Sequence, residues 1–184
     1  MLLTTVTVTL GLIAIWAIWA FNRLVRSRNR TRAAWSDIDV QLQRRHDLVP
    51  QLVSAVRAYA QYERATLTAV TELRYLSEQT QTLPEKAQLE DELEKGLQRL
   101  IALAEAYPDL KASENFLKLQ AELTEVEDHL QYSRRFYNGA VRDLNTLVET
   151  FPDLFIAGAF RFAAAEFFAA SRGSDAPPQI DMMS

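Results

Sequence analysis

Apolar residues recur at steps of three and four through almost the whole chain, and no stretch alternates as a half-buried strand would. After an uncharged opening over residues 1–22, this spacing predicts a first helix over about residues 29–77, a second over 84–106 and a third over 113–151. The predicted fold is therefore all-α. It is an antiparallel bundle of three to four long, coiled-coil-like helices behind an N-terminal transmembrane helix.

The third predicted helix carries the longest apolar stripe. Its members are Phe116, Leu119, Leu123, Val126, Leu130, Ser133, Tyr137, Ala140, Leu144, Leu147 and Phe151. This strict heptad predicts left-handed, coiled-coil-like packing, so we expect this helix to set the core of the bundle.

Residues 154–170 carry little charge and are rich in Phe and Ala. They either close the bundle as a fourth helix or lie on a membrane or a partner, and packing within the chain is the favoured interpretation. The residues that follow include Ser, Gly, Asp and two prolines, which predicts a disordered tail. The predicted organisation is a transmembrane anchor over 1–22, a helical bundle over 23–170 and a tail over 171–184.

The uncharged opening has the length of a membrane-spanning helix, about 20 residues. The residues predicted to fix it at the membrane boundary are Trp16, Trp19, Phe21, Arg23 and Arg26. Arginines follow only its C-terminal flank, which predicts a cytoplasmic body by the positive-inside rule. The same arginines could also bind anionic headgroups, so membrane lipid is a predicted partner. A cleaved signal peptide is disfavoured, because a basic n-region and an obvious cleavage site are missing.

The apolar stripe of the first helix is interrupted at one position. Its apolar members are Trp35, Ile38, Leu42, Val49, Leu52 and Val56. Arg45 stands where the next apolar residue belongs, and His46 and Asp47 adjoin it. Pro50 follows in mid-helix, where it removes one intrahelical hydrogen bond and frees the carbonyl of His46. A local sequence this costly to a helix indicates a functional role.

Three segments of the chain, in order, resemble the LemA family. They read WSDIDVQLQRRHDLVPQLV, AYPDLKASENFLKLQAEL and RRFYNGAVRDLNTLVETFP, the last followed by LFIAGAFRF. The departures are mild: Gln43 and Gln51 stand where Lys and Asn are common, Leu144 where Tyr is common, and Arg161 is atypical. The resemblance implies a membrane-anchored helical-bundle protein, here of the bacterial inner membrane.

Candidate chemistry is sparse. There is no cysteine, and the two histidines lack the Glu-x-x-His pairing of di-iron bundles. His46 shares a helix face with Asp39, but zinc sites use at least three protein ligands, so neither a metal site nor a cofactor is predicted. No catalytic residue is predicted either. Four polar residues of the third helix are interpreted as a layer that fixes helix register rather than as a ligand site: Arg134, Tyr137, Asn138 and Asn145.

A count of helix lengths predicts a partner surface. At 1.5 Å per residue the second helix is about 33 Å long and the first about 72 Å, so the second helix leaves residues 30–55 bare. An uncovered apolar face is a partner site. The predicted interface consists of Trp35, Ile38, Asp39, Leu42, Arg45, His46, Asp47, Val49 and Leu52. A second copy of the chain would cover it, giving a homo-oligomer, or another membrane protein would; otherwise the first helix breaks and the count fails.

The function predicted from these features is a membrane-anchored, non-enzymatic scaffold that self-assembles or organises partners. The alternatives are an accessory subunit of a membrane enzyme or protease system, with which the family resemblance is consistent, and a metal-binding helical enzyme. The net charge is −4, and the basic residues crowd the membrane end rather than forming a face on the body. Nucleic acid is therefore not a predicted partner.

Overall fold

The computed structural model describes residues 1–60 and 63–168, and within these ranges the regular structure is entirely helical. The helices are α1 (Leu2–Arg57), α2 (Arg64–Gln79), α3 (Leu83–Ala104), α4 (Pro108–Lys111), α5 (Glu114–Glu149) and α6 (Asp153–Ala159). The all-α prediction is confirmed. The predicted tail over 171–184 lies outside the described residues.

The chain forms two compact units. The terminal unit comprises residues 1–39 and 132–167, and the bundle unit comprises the described residues of 40–131 together with Phe168. The boundaries fall inside α1 and α5, so each of these helices contributes to both units. The predicted anchor boundary at residue 22 also falls inside α1, which continues through it as helix.

The bundle unit is built from segments of four helices, α1, α2, α3 and α5, each antiparallel to the one before it. Side chains of α2, α3 and α5 all reach the same level of α1, at Arg45 and His46. An apolar core fills the bundle beside that level. Its buried members are Val49, Leu52, Val53, Val56, Ala60, Leu67, Val70, Leu93, Leu97, Leu100, Ala104, Leu110, Phe116, Leu119 and Leu123.

The first helix ends at Arg57 rather than near residue 77, so its predicted length is wrong. The chain turns back after Ala60 and forms α2 as a separate helix. No proline or glycine lies between residues 51 and 83, and the apolar spacing continues through the turn. The sequence therefore contains no signal that the first helix ends there. The reversal is stabilised because it lays the apolar face of α2 on that of α1, which removes both faces from water.

The heptad of the third predicted helix is confirmed on α5 as far as Leu144. The nine stripe positions from Phe116 to that residue are all buried, although two of them are polar or partly polar, Ser133 and Tyr137. The last predicted member, Phe151, is instead exposed and lies beyond the end of the helix.

In the terminal unit, α1 runs antiparallel to α5. The hydroxyl of Thr31 donates to the carbonyl of Ala140 at 3.2 Å, and the rings of Trp35 and Tyr137 meet edge to face with centroids 5.6 Å apart. Helix α6 packs beside the first of these helices through a small apolar cluster. Its buried members are Leu24, Ala157 and Phe162.

Residues 154–170 do not form a fourth bundle helix over their described part. Helix α6 ends at Ala159, and the chain to residue 168 is not helical. The helix ends in a Schellman pattern: the N–H of Phe162 bonds to the carbonyl of Ala157 at 2.9 Å, and Arg161 takes the left-handed position with φ 55°. The segment that follows is held by α5 instead, as described below.

Candidate functional site: a buried charge layer

Arg45 lies at the centre of the bundle unit, and its side chain is 0% exposed. Its guanidinium forms an ion pair with Glu90 of α3, whose side chain is also 0% exposed, and a second with Glu127 of α5 at 2.8 Å. A buried guanidinium is tolerated only when carboxylates and hydrogen bonds replace its water. Three helices therefore supply one charged group each to a common point.

The neighbouring His46 joins the same carboxylate. Its Nε2 lies 2.7 Å from Oε1 of Glu90, and its Nδ1 lies 3.7 Å from a carboxylate oxygen of Glu78 on α2. An ionised carboxylate only accepts hydrogen bonds, so Nε2 carries the hydrogen and donates it to Glu90. This bond fixes the orientation of the imidazole within the bundle.

Helix α2 adds three more groups. Ser77 donates its hydroxyl hydrogen to Oε1 of Glu90, and Arg74 pairs with Glu78 at 2.8 Å. The Nε of Arg74 also donates to the main-chain carbonyl of His46 at 2.8 Å. We call the set Arg45, His46, Arg74, Ser77, Glu78, Glu90 and Glu127 the charge layer.

The electrostatics of the layer keep its central pair ionised. Burial by itself would raise the pKa of Glu90, but the hydrogen bond from His46 and the charge of Arg45 outweigh it and lower that pKa to about 2. Burial likewise opposes the charge of Arg45, yet Glu90 and Glu127 raise the pKa of that guanidinium above its usual value. Glu90 is therefore a permanent anion and hydrogen-bond acceptor at neutral pH, not a proton donor.

The layer corrects the predicted partner interface. Six of its predicted residues are buried within the single chain: Ile38, Leu42, Arg45, His46, Val49 and Leu52. The charges expected on an adjoining subunit come from the same chain, through Glu90 and Glu127. The face was predicted bare because the first helix was taken as unbroken, whereas α2 folds back to its level.

The other three predicted interface residues have different surroundings. Trp35 is half-buried against Tyr137 in the terminal unit. Asp39 and Asp47 are exposed, and Asp47 accepts a hydrogen bond from the side chain of Gln43 at 2.9 Å. Neither aspartate is part of the charge layer.

Sequence reasoning missed Glu90, Ser77, Arg74 and Glu127. The spacing held a clue for one of them, because Glu90 precedes Leu93 and Leu97 by heptad steps and so occupies a core position of α3. The neighbouring Leu89 is only half-buried. An arginine within one apolar stripe indicates an acid within another, because a buried guanidinium needs a carboxylate partner.

The polar residues predicted as a register layer on α5 hold the segment after α6. The side-chain amide of Asn145 donates to the carbonyl of Ala165 at 3.0 Å and accepts from its N–H at 2.8 Å. The hydroxyl of Tyr137 donates to the carbonyl of Glu166 at 2.9 Å, and burial raises the pKa of that phenol. Arg134 and Asn138 are half-buried on the same helix. A role for all four in fixing helix register stays a prediction.

The predicted anchor residues lie on the exposed start of α1 and at the turns that follow. This helix contains one stretch long and apolar enough to cross a membrane, and none of that stretch is buried. Trp19 is exposed, and the guanidinium of Arg23 lies 4.9 Å from its ring centroid while also pairing with Asp153. Phe21 packs against Phe160. The remaining two are Trp16, which is half-buried, and Arg26, which is exposed.

Over the part of the chain that the structure describes, no group of three or more His, Asp or Glu side chains is placed to hold a metal ion. His46 and Asp39, the pair considered from the sequence, lie in different surroundings. The histidine is in the charge layer, and the aspartate is exposed to solvent. The ion pairs and hydrogen bonds of the layer link α1, α2, α3 and α5.

Comparison with known proteins gives the chain its family. The model of the LemA family matches residues 34–182, which is most of the sequence. The chain belongs to the LemA family. The matched region includes every residue of the charge layer.

Two kinds of relative share the match. The chain is 27% identical to Protein LemA of Metamycoplasma hominis over 144 residues, covering 78% of this chain and 66% of that protein, slightly less than two thirds of its length. It is 24% identical to Magnetosome protein MamQ 1 of Paramagnetospirillum magneticum and 22% identical to Magnetosome protein MamQ of Magnetospirillum gryphiswaldense. Both of these alignments cover 87% of this chain and 70% of the relative. None of these names states an enzymatic activity.

Proposed function

We propose that this LemA-family chain is a membrane-anchored, non-enzymatic scaffold that self-assembles or organises partner proteins at the bacterial inner membrane. One observation carries the proposal. The exposed apolar start of α1 runs without a helical break into a bundle whose central charges pair with one another. The same helix thus provides both an anchor and one wall of the body.

The anchor rests on exposure and charge. Residues 1–15 are all exposed, and the first charged side chain after them is that of Arg23. Apolar side chains in this number are costly in water, and a bilayer removes that cost. Arg23, Arg26, Arg28 and Arg30 follow on the C-terminal side only, which favours a cytoplasmic body.

The scaffold role rests on the closure of the charge layer. Arg45 and Glu90 are 0% exposed, so a substrate could reach them only if the bundle opened. Pairs of this kind contribute specificity of helix register rather than chemistry in several helical systems. A helical bundle held at a membrane is suited to binding other proteins through its outer faces.

A second candidate is the accessory subunit of a membrane enzyme or protease system. The closed charge layer is consistent with this role, because the catalytic residues of such a complex would lie on its other subunit. The two candidates share the anchor and the bundle, and they differ in what the assembled particle contains. The composition of the particle extracted from membranes separates them, as set out at the end of the Discussion.

The topology is tested with fusions to the end of the chain. A fluorescent protein placed after residue 184 should be bright, and alkaline phosphatase in the same place should be inactive, because the body is cytoplasmic. Removing residues 1–22 should release the fluorescent fusion from the membrane pellet. Active phosphatase would refute the cytoplasmic body, and a pellet that keeps the truncated fusion would refute the anchor.

A further inference from the structure

The corner between α5 and α6 exposes a group of large apolar side chains. Phe151 is 76% exposed and Phe155 is 62% exposed, and their rings meet edge to face with centroids 5.9 Å apart. Leu154 and Phe160 are exposed close by in the chain. We call these four residues the α6 patch. Apolar groups gathered in this way on a protein surface mark an interaction site.

Contacts within the terminal unit place the patch beside the end of the predicted span. The ring of Phe160 lies 4.8 Å from that of Phe21, and Asp153 pairs with Arg23. Leu24 and Ala157 are buried in one cluster. Helix α6 is thus packed against the turn of α1 at the end of the uncharged segment.

The register between α1 and α5 gives the same level independently. Thr31 lies beside Ala140, and the two helices run antiparallel. Nine residues farther along each helix, about 13.5 Å at 1.5 Å per residue, Glu149 comes level with Asn22. Asn22 is the last residue of the uncharged segment, so the chain beyond Glu149 stands where α1 leaves the hydrocarbon.

We propose that the α6 patch inserts into the interface of the bilayer that the N-terminal helix spans, so that the chain contacts the membrane at two points. This inference rests on the membrane anchor of the proposed function. Apolar side chains of interfacial helices enter the boundary between headgroups and acyl chains by about 5–10 Å, which suits Phe and Leu side chains at this level. Arg161 adjoins the patch and is exposed, so its guanidinium can reach lipid phosphate.

Lipid fits this surface better than a protein partner does. The patch borders the exposed apolar face of α1 near Phe21, which the anchor already commits to lipid. A second membrane contact also limits how far the terminal unit can tilt about its anchor.

The absence of cysteine allows single labelling sites in the full chain. Phe155→Cys, Leu12→Cys and Tyr132→Cys variants are labelled with bimane and reconstituted in vesicles of phosphatidylcholine and phosphatidylglycerol. Leu12 lies in the predicted span and reports the anchor, whereas Tyr132 is exposed on α5 and reports solvent. Lipids brominated at shallow or deep positions quench a label in the bilayer, and aqueous iodide quenches a label in water.

We expect the label at Phe155→Cys to lose emission with shallow brominated lipid and to resist iodide, and Phe151→Cys to behave alike. If iodide alone quenches the labels at Phe155→Cys and Phe151→Cys while lipid still quenches Leu12→Cys, the inference is overturned. The membrane anchor is then still supported. Protection from both quenchers would also overturn it, because a second copy or another protein would then cover the patch. Loss of lipid quenching at Leu12→Cys would instead refute the anchor itself.

Discussion

Arg74 donates its Nε hydrogen to the main-chain carbonyl of His46, at 2.8 Å. That carbonyl has no intrahelical donor, because the residue four positions on is Pro50, which lacks an N–H. Helix α2 thus satisfies from the side the group that α1 leaves open. The proline and the arginine together tie these two helices at the level of the charge layer.

This relationship predicts a coupling between the two positions. Arg74→Ala should lower the free energy of unfolding by about 1–3 kcal/mol, because a part-buried carbonyl loses its donor. In a Pro50→Ala background the loss should be smaller, since the new N–H can serve the same carbonyl. Urea unfolding of the detergent-solubilised chain, followed by circular dichroism, measures this cycle.

Arg74→Lys is the control for charge, because it keeps the attraction to Glu78 but not the Nε geometry. Strictly additive losses in the cycle would show that the proline and the arginine act separately.

The carbonyl freed by Pro50 was predictable from the sequence, but its partner was not. Proline chemistry is local and follows from residue type alone. Arg74 is the donor only because the chain reverses after Ala60. Residues 57–63 contain neither proline nor glycine, so no helix-breaking residue indicates this reversal in the sequence. Two alternatives, one long helix and a helical hairpin, share the same apolar spacing. Burial of the apolar face of α1 decides between them.

Glu90 is predicted to be the most sensitive member of the charge layer. Glu90→Gln keeps the size of the side chain and removes its charge, which leaves Arg45 buried with Glu127 alone. Breaking a buried pair in this way costs about 3–5 kcal/mol. Glu92→Gln is the matched control on the same helix, since Glu92 is exposed and its loss should cost under about 0.5 kcal/mol. Equal losses by chemical unfolding would mean that the layer does not stabilise the bundle.

The pH dependence of stability follows from the pKa of Glu90. It falls from 4.5 to about 2 on folding, so the folded chain binds fewer protons than the unfolded chain between these values. The resulting stabilisation, about 3 kcal/mol, is present above about pH 4.5 and is lost as the pH falls towards 2. The difference in unfolding free energy between wild type and Glu90→Gln should therefore narrow over this range. A difference in unfolding free energy between wild type and Glu90→Gln that stays constant down to about pH 2 would contradict a lowered pKa of Glu90.

The heptad of α5 illustrates what the sequence predicts well. Leu130 was placed in the core by its spacing and is 0% exposed, while Leu117 on the same helix falls outside the stripe and is 49% exposed. The heptad spacing alone distinguishes these two leucines, because the same face of α5 packs against other helices over many turns. The end of the stripe failed at Phe151, where the helix has already stopped and the side chain faces outward.

The same pair supplies a test of the core. Leu130→Ala should cost about 2–5 kcal/mol through the cavity it leaves. Leu117→Ala removes the same atoms from an exposed position and should cost under about 0.5 kcal/mol. Thermal melts of the detergent-solubilised chain compare them directly. Similar midpoints for the two variants would place the buried face of α5 elsewhere.

Self-assembly at the membrane is tested most directly by the mass and composition of the extracted particle. The full chain, tagged at its C-terminus, is purified from bacterial membranes in a mild detergent and weighed by native mass spectrometry. We expect one homo-oligomer, at a whole-number multiple of the chain mass, without a second protein in fixed ratio. A monomer at all loadings, or a fixed-ratio complex with an unrelated protein, would contradict the self-assembling scaffold, and the second result would support the accessory-subunit role.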